Sequence, residues 1–71
     1  MAKPDPIAVQ LTQARRAAGL TQAQVAESIH VAHNTIHNWE HGKSQPRSLA
    51  DLAAWAQAVG RRLVLTEAAD G

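Results

Sequence analysis

The sequence has no cysteine, no tyrosine and no phenylalanine. Without thiols there is no disulfide framework, no thiolate metal site and no cysteine nucleophile. The only aromatic side chains of Phe, Tyr or Trp type are Trp39 and Trp55, so large core-filling groups are scarce. Of the 71 residues 15 are alanine and 14 are Ile, Leu or Val, a mixture that suits short helices packed closely through small side chains. One domain is expected, with little room for a catalytic cleft between lobes. A chain this short buries only about 60% of its unfolded surface, and a second subunit is a natural source of added stability. No run approaches about 18 apolar residues, and Met1-Ala2-Lys3-Pro4-Asp5-Pro6 lacks the charged-then-apolar order of a secretory signal. A soluble, cytoplasmic protein without membrane contact is therefore expected.

Charge is sparse as well: seven basic against six acidic residues leave a formal net charge of +1. Its distribution carries more information. All four histidines, His30, His33, His37 and His41, fall within a dozen positions, and Glu40 is the only acid between residues 28 and 50. Arg15, Arg16, Lys43 and Arg47 flank the same region. A locally basic, polar face on a weakly charged domain is compatible with a nucleic-acid partner.

Periodicity predicts an all-α chain. Residues 1–6 carry two prolines and read as an N-terminal arm. From Ile7, the positions Ile7, Leu11, Ala14 and Ala18 make one helical stripe, and Gly19 stops it. Thr21-Gln22-Ala23-Gln24 has capping-box form and opens a second helix over 21–29, with Val25, Ala26 and Ile29 inward. His30-Val31 interrupts, a third helix runs from about Ala32 to His41, and Gly42 closes it. After the loop Lys43-Ser44-Gln45-Pro46, Ser48 caps a fourth helix whose inner stripe is Leu49, Leu52, Trp55, Ala56 and Val59. Residues 7–60 thus form the domain. Residues 61–67, Arg61-Arg62-Leu63-Val64-Leu65-Thr66-Glu67, read as a short strand, and 68–71 as a tail.

Two short helices joined by a tight turn form a helix-turn-helix. The third helix indicates its purpose. At about 100° per residue, His33, His37, His41, Asn34 and Asn38 span an arc of about 140°, with Ile36 and Trp39 on the opposite side. One face is imidazole and carboxamide, without the Lys and Glu that usually fill a solvent face. Carboxamides and imidazoles have the reach and the donor–acceptor mix to read base edges in a major groove. A plain solvated helix face is the alternative. Trp39 and Trp55 lie on apolar stripes and are expected in the core, since rings that stack on single strands must be exposed.

Leu20-Thr21-Gln22-Ala23-Gln24-Val25-Ala26, followed by Thr35-Ile36-His37-Asn38-Trp39-Glu40-His41-Gly42-Lys43, resembles the Cro/repressor-type helix-turn-helix, or XRE family, over roughly residues 8–60. The resemblance implies a lambda-repressor-like bundle of four or five helices, usually dimeric, that binds operator DNA and regulates transcription. It implies base-reading roles for Ala32, His33, Asn34, His37 and Asn38. It implies phosphate contacts for Gln22, His41 and Lys43, with Arg47 as a further one. The positive end of the second helix independently favours an anion near Gln22. Arg15 and Glu40 match an ion pair tying the first helix to the third. Two departures stand out: His30 occupies a turn position where the family usually has Gly, and Ala32 one where it favours Ser or Thr.

His33, His37 and His41 also invite a metal reading. Three imidazoles spaced along one helix cannot converge on one ion without distortion, although adjacent members four residues apart can share Zn²⁺ or Ni²⁺. No cofactor and no physiological metal site are expected. No Ser-His-acid order, paired apolar carboxylates or Gly-rich phosphate loop suggests catalysis. One recognition helix reads too few base pairs to find a genomic site, so a homodimer on a palindrome is expected. Leu63, Val64 and Leu65 would supply it, because a lone strand must pair its backbone and the same strand of a second copy can do so. The leading expectation is a sequence-specific double-stranded DNA-binding regulator, a repressor rather than an enzyme. Competing with it are an antitoxin that binds a toxin protein and autoregulates its operon, and an adaptor that binds protein only.

Overall fold

Asp5 starts the first helix. Its side chain accepts from the Ile7 N–H at 3.0 Å, and Pro6 takes the first helical position, where a missing N–H costs nothing. This α1 (Pro6–Ala17) is followed by α2 (Gln22–Ser28), α3 (His33–Glu40) and α4 (Leu49–Ala58). The computed structural model describes residues 4–64, and among them there is no strand. α1 begins one residue before Ile7, so Asp5 and Pro6 belong to its capped start and not to a preceding arm. The expected strand over 61–67 falls partly on residues 61–64, which are not extended into a ladder within the single chain. Leu65 and the rest of that segment, like the 68–71 tail, lie outside the described residues.

Each chain reversal has a local cause. At the end of α1, Gly19 takes φ 72° and the Leu20 N–H reaches back to the Arg15 carbonyl at 3.1 Å. Thr21 then forms a full capping box: its hydroxyl accepts from the Gln24 N–H at 3.0 Å, and the Gln24 side chain accepts from the Thr21 N–H at 2.8 Å. Two residues after α2 comes His30, the single non-glycine residue of positive φ among those described, at 61°. That left-handed residue lets the Val31 N–H donate to the Ala26 carbonyl at 3.0 Å, which closes the helix and turns the chain into α3. Ala32 precedes α3 without any side-chain cap. Gly42, at φ 75°, ends the α3 segment, and the Lys43 N–H satisfies the Asn38 carbonyl at 2.9 Å.

α2 packs mainly on α3, α1 also leans on α3, and α4 closes against α2. Four of the ten core residues are alanines: Ala8, Ala14, Ala26 and Ala56. These small side chains let the helices approach closely, and Ile36, Val25, Trp39 and Trp55 fill what remains. The two indole rings lie 5.3 Å apart between centroids and 41° from coplanar, a tilted pair within the centroid range in which aromatic rings attract. The Trp55 indole N–H is buried without a hydrogen-bond partner among the described residues, a burial that costs about 1–3 kcal/mol.

Three inward assignments differ in the structure. Leu49 is 81% exposed, not part of the inner stripe of α4. It is the first residue of that helix, directly after the Ser48 cap, and it overhangs an open apolar cleft of about 340 Å³ bordered by Ile7, Trp39 and Leu52. Ile7, also expected inward, sits at the edge of the α1 stripe and is 42% exposed, while Ala8 takes the buried place. Ala18 lies past the last buried turn of α1 and is exposed too.

The turn carries strain that can be removed. An L-residue in the left-handed region costs about 1–2 kcal/mol relative to glycine, before glycine's own entropic cost is subtracted. His30→Gly is therefore expected to stabilise the fold by up to about 1 kcal/mol, and Ala32→Ser to add about 1 kcal/mol through the missing cap. Urea denaturation of the two variants measures both.

Candidate nucleic-acid interface

Glu40 is buried at the end of α3 with only 2% of its side chain exposed, and Arg15 from α1 approaches it at 12% exposure. The guanidinium engages both carboxylate oxygens: Nε donates to Oε2 at 2.6 Å and Nη2 to Oε1 at 3.1 Å. Its Nη1 donates to the Leu20 carbonyl at 2.8 Å. Gln22 completes the cluster, its Nε2 donating to Glu40 Oε1 at 2.9 Å. A planar, bidentate fork suits Arg and not Lys. The cluster ties α1, α2 and the turn before α2 to the last residue of α3.

The role of Gln22 in this cluster is not apparent from the sequence. Its side-chain N–H is engaged by the buried carboxylate. A useful signal would be the buried carboxylate itself. One guanidinium leaves carboxylate lone pairs unfilled, and buried polar groups rarely stay so.

With the end of α3 anchored, the register of its remaining side chains follows. Ile36 is fully buried and Trp39 is 6% exposed. His33, Asn34 and His41 are exposed, and His37 and Asn38 are half-buried on the same outward side. Ala32 is exposed just before the helix, and Lys43 and Arg47 are exposed in the segment after it. The residues singled out as base-reading therefore lie on one open side of α3, with the candidate phosphate-binding His41 at its C-terminal edge and Lys43 and Arg47 beyond it. Of the dimerising trio, Leu63 and Val64 are 40% and 71% exposed, and Leu65 lies outside the described residues.

Within that surface His37 and His41 are neighbours, with ring centroids 4.2 Å apart. Partial burial of its ring holds the His37 pKa below the usual imidazole value of 6.5, and the positive charge of His41 and Lys43 lowers it further, with His33 adding to the effect and Glu40 opposing it. At neutral pH His37 is thus an uncharged imidazole that both donates and accepts. Such a group can discriminate a base edge and adds little general attraction for phosphate.

Among the described residues no helix is long and apolar enough to cross a membrane. A family model described as a helix-turn-helix domain matches residues 6–69. No curated protein and no solved structure matches the chain.

Two outcomes are expected. Removing one partner of a buried ion pair costs about 3–5 kcal/mol, whereas replacing both by apolar groups of similar volume recovers much of the loss. Glu40→Met should therefore be largely unfolded by thermal melting, and Arg15→Met/Glu40→Met markedly more stable than it. In an NMR titration the His37 ring should have its midpoint below 6.5, moving upward in His41→Asn as the neighbouring charge disappears.

Proposed function

Since the chain belongs to the helix-turn-helix domain family, with a helix-turn-helix of Cro/repressor type, we propose that it is a transcriptional repressor that binds a palindromic operator in double-stranded DNA as a homodimer. A DNA-binding regulator is what the family supports directly; repression, the palindrome and the dimer are our reading. The observation that carries it is the division of α3 into a buried anchor, Ile36 and Trp39, and an open face of imidazoles and carboxamides.

Asn34 and Asn38 would read adenine, whose N6 and N7 match a carboxamide in a bidentate pair. His33 and His37 would contact neighbouring base edges, and the Ala32 methyl a thymine methyl group. Such contacts specify sequence. Gln22, through its backbone N–H, together with His41, Lys43 and Arg47, would meet phosphates, which fix register and supply most of the affinity. The Arg15–Glu40 pair takes no part in reading; it holds α3 at a constant angle to α1, and Gln22 adds the link to α2. A second copy, joined through Leu63, Val64 and Leu65, would place two recognition helices about 34–36 Å apart on one side of the duplex. Bound over a promoter, such a dimer blocks transcription by occupancy and needs no catalytic step. Cytoplasmic residence accompanies this role.

A second reading, as an antitoxin that also binds a toxin protein, is favoured by Leu49, a large apolar side chain left uncovered beside an apolar cleft. A stable complex with the product of an adjoining gene would support it.

Selection of binding sites from random duplexes, run beside sedimentation of the free protein, tests the main proposal. The expected result is a palindrome with half-site centres one helical turn apart and a dimer in solution. With three to five phosphate contacts per subunit, log K should fall against log salt with a slope of about −5 to −9. Deleting residues 61–71 should weaken binding to the palindrome far more than to random DNA. Recovery of no preferred sequence, or of asymmetric sites bound by a monomer, would overturn the proposal.

A further inference from the structure

A neutral imidazole offers one ring nitrogen lone pair to a metal ion, and two imidazoles one helical turn apart can offer theirs to the same ion. His37 and His41 are so placed. Their ring centroids are 4.2 Å apart, their planes are tilted by 48°, and no hydrogen bond among the described residues engages either ring. His41 is exposed and His37 half-buried, which leaves the outer ring free to rotate and turn a nitrogen toward an ion shared with its neighbour.

We propose that His37 and His41 form a two-imidazole site for a borderline divalent cation, Zn²⁺ or Cu²⁺, on the open face of α3, and that an occupied site and a bound duplex exclude each other. The exclusion rests on the reading of α3 as the groove-facing helix; the cation site does not. Metal binding requires unprotonated ligands, and neither ring's nitrogen pair is taken up by a hydrogen bond among the described residues. Glu40, next in sequence to His41, does not join, because both of its oxygens are taken by Arg15 and Gln22. Among the described residues no group of three His, Cys, Asp or Glu side chains is placed to hold a metal, so water completes the coordination shell. Such a site is open and exchangeable. Its preference should follow the general order Cu²⁺ over Zn²⁺ for nitrogen donors, with hard Mg²⁺ not bound.

The consequence for DNA follows from geometry. A hydrated cation held by both rings stands in front of α3, where base edges would approach, and takes up the acceptor nitrogen that His37 would turn toward a base. His33, one turn before His37, keeps its own nitrogens, and His30 in the turn is not involved.

The test uses the untagged full chain, first without DNA. Titration with Zn²⁺, Cu²⁺ and Mg²⁺ by calorimetry, with histidine ring NMR shifts followed for Zn²⁺, should give one bound ion per chain, tighter for Cu²⁺ than for Zn²⁺ and absent for Mg²⁺. The Zn²⁺ shifts should concentrate on His37 and His41. His41→Asn removes one of the two ligands and should weaken Zn²⁺ binding by more than the roughly tenfold that loss of a mere outer-shell partner costs, and His30→Asn should leave it unchanged. Both substitutions are at exposed positions, and helical circular dichroism confirms that the variants stay folded. Shifts spread evenly over all four histidines, or His41→Asn binding Zn²⁺ like the parent, would overturn the site. In the second arm, saturating Zn²⁺ should weaken binding of the parent chain to its selected duplex at least tenfold and have little effect on His41→Asn. A parent chain that chelates the ion and keeps its duplex affinity would overturn the exclusion alone.

Discussion

The buried carboxylate of Glu40 is the point on which the molecule turns. A charge at 2% exposure is tolerable only if its oxygens are fully engaged, and they are, by a bidentate Arg15 and by Gln22. Because those donors come from α1 and α2, satisfying one carboxylate fixes the relative placement of three helices. An apolar contact could supply comparable energy but would tolerate sliding and rotation. The ion pair does not, since a planar fork accepts a carboxylate only over a narrow range of angles. What the cluster contributes is thus register: it sets which side of α3 faces in and which faces out.

From that constraint the character of the outer face follows. α3 has eight residues, too few to be stable as an isolated helix, and it is held by Ile36, Trp39 and Glu40 along one edge. The other edge is more open, with His33 and Asn34 exposed and His37 and Asn38 half-buried, so its composition can answer to something outside the molecule. It carries carboxamides and imidazoles where an idle solvent face would carry Lys and Glu. Short, forked donor–acceptor groups on a rigid rod suit reading a polar surface of fixed geometry. The long cations are kept to the segment after it, Lys43 and Arg47, where a backbone of phosphates would run. His37 on that open face, its pKa held below the usual imidazole value by burial and by neighbouring positive charge, fits the proposed division between discrimination and attraction.

Much of this was legible in the sequence because it is written in local signals. Thr21 and Gln24 spell a capping box, Gly19 and Gly42 sit where the backbone turns left-handed, and the split of α3 into two faces follows from helical spacing alone. His30 was legible as a departure, a residue standing where glycine is easier, and its φ of 61° shows the departure absorbed without a change of fold. What escaped was tertiary. Leu49 obeys the period of its helix yet lies at its first turn, beyond the reach of any partner, so periodicity places it inward and the bundle leaves it uncovered. Ile7 fails in the same way at the start of α1. The family resemblance makes Gln22 a phosphate ligand, and nothing local reveals that a carboxylate 18 residues away claims its side-chain N–H. Helix ends are where local pattern and three-dimensional surroundings part company.

The central claim is that the side of α3 opposite Ile36 and Trp39 enters a major groove. Intermolecular NOEs between the chain and its selected duplex test this most directly. The account predicts contacts from the Asn34 and Asn38 carboxamide protons and the His37 ring to base protons of the major groove, with the indole signals of Trp39 and Trp55 unmoved. Contacts to DNA arising from α4 or from the indoles, with the two carboxamides silent, would contradict it.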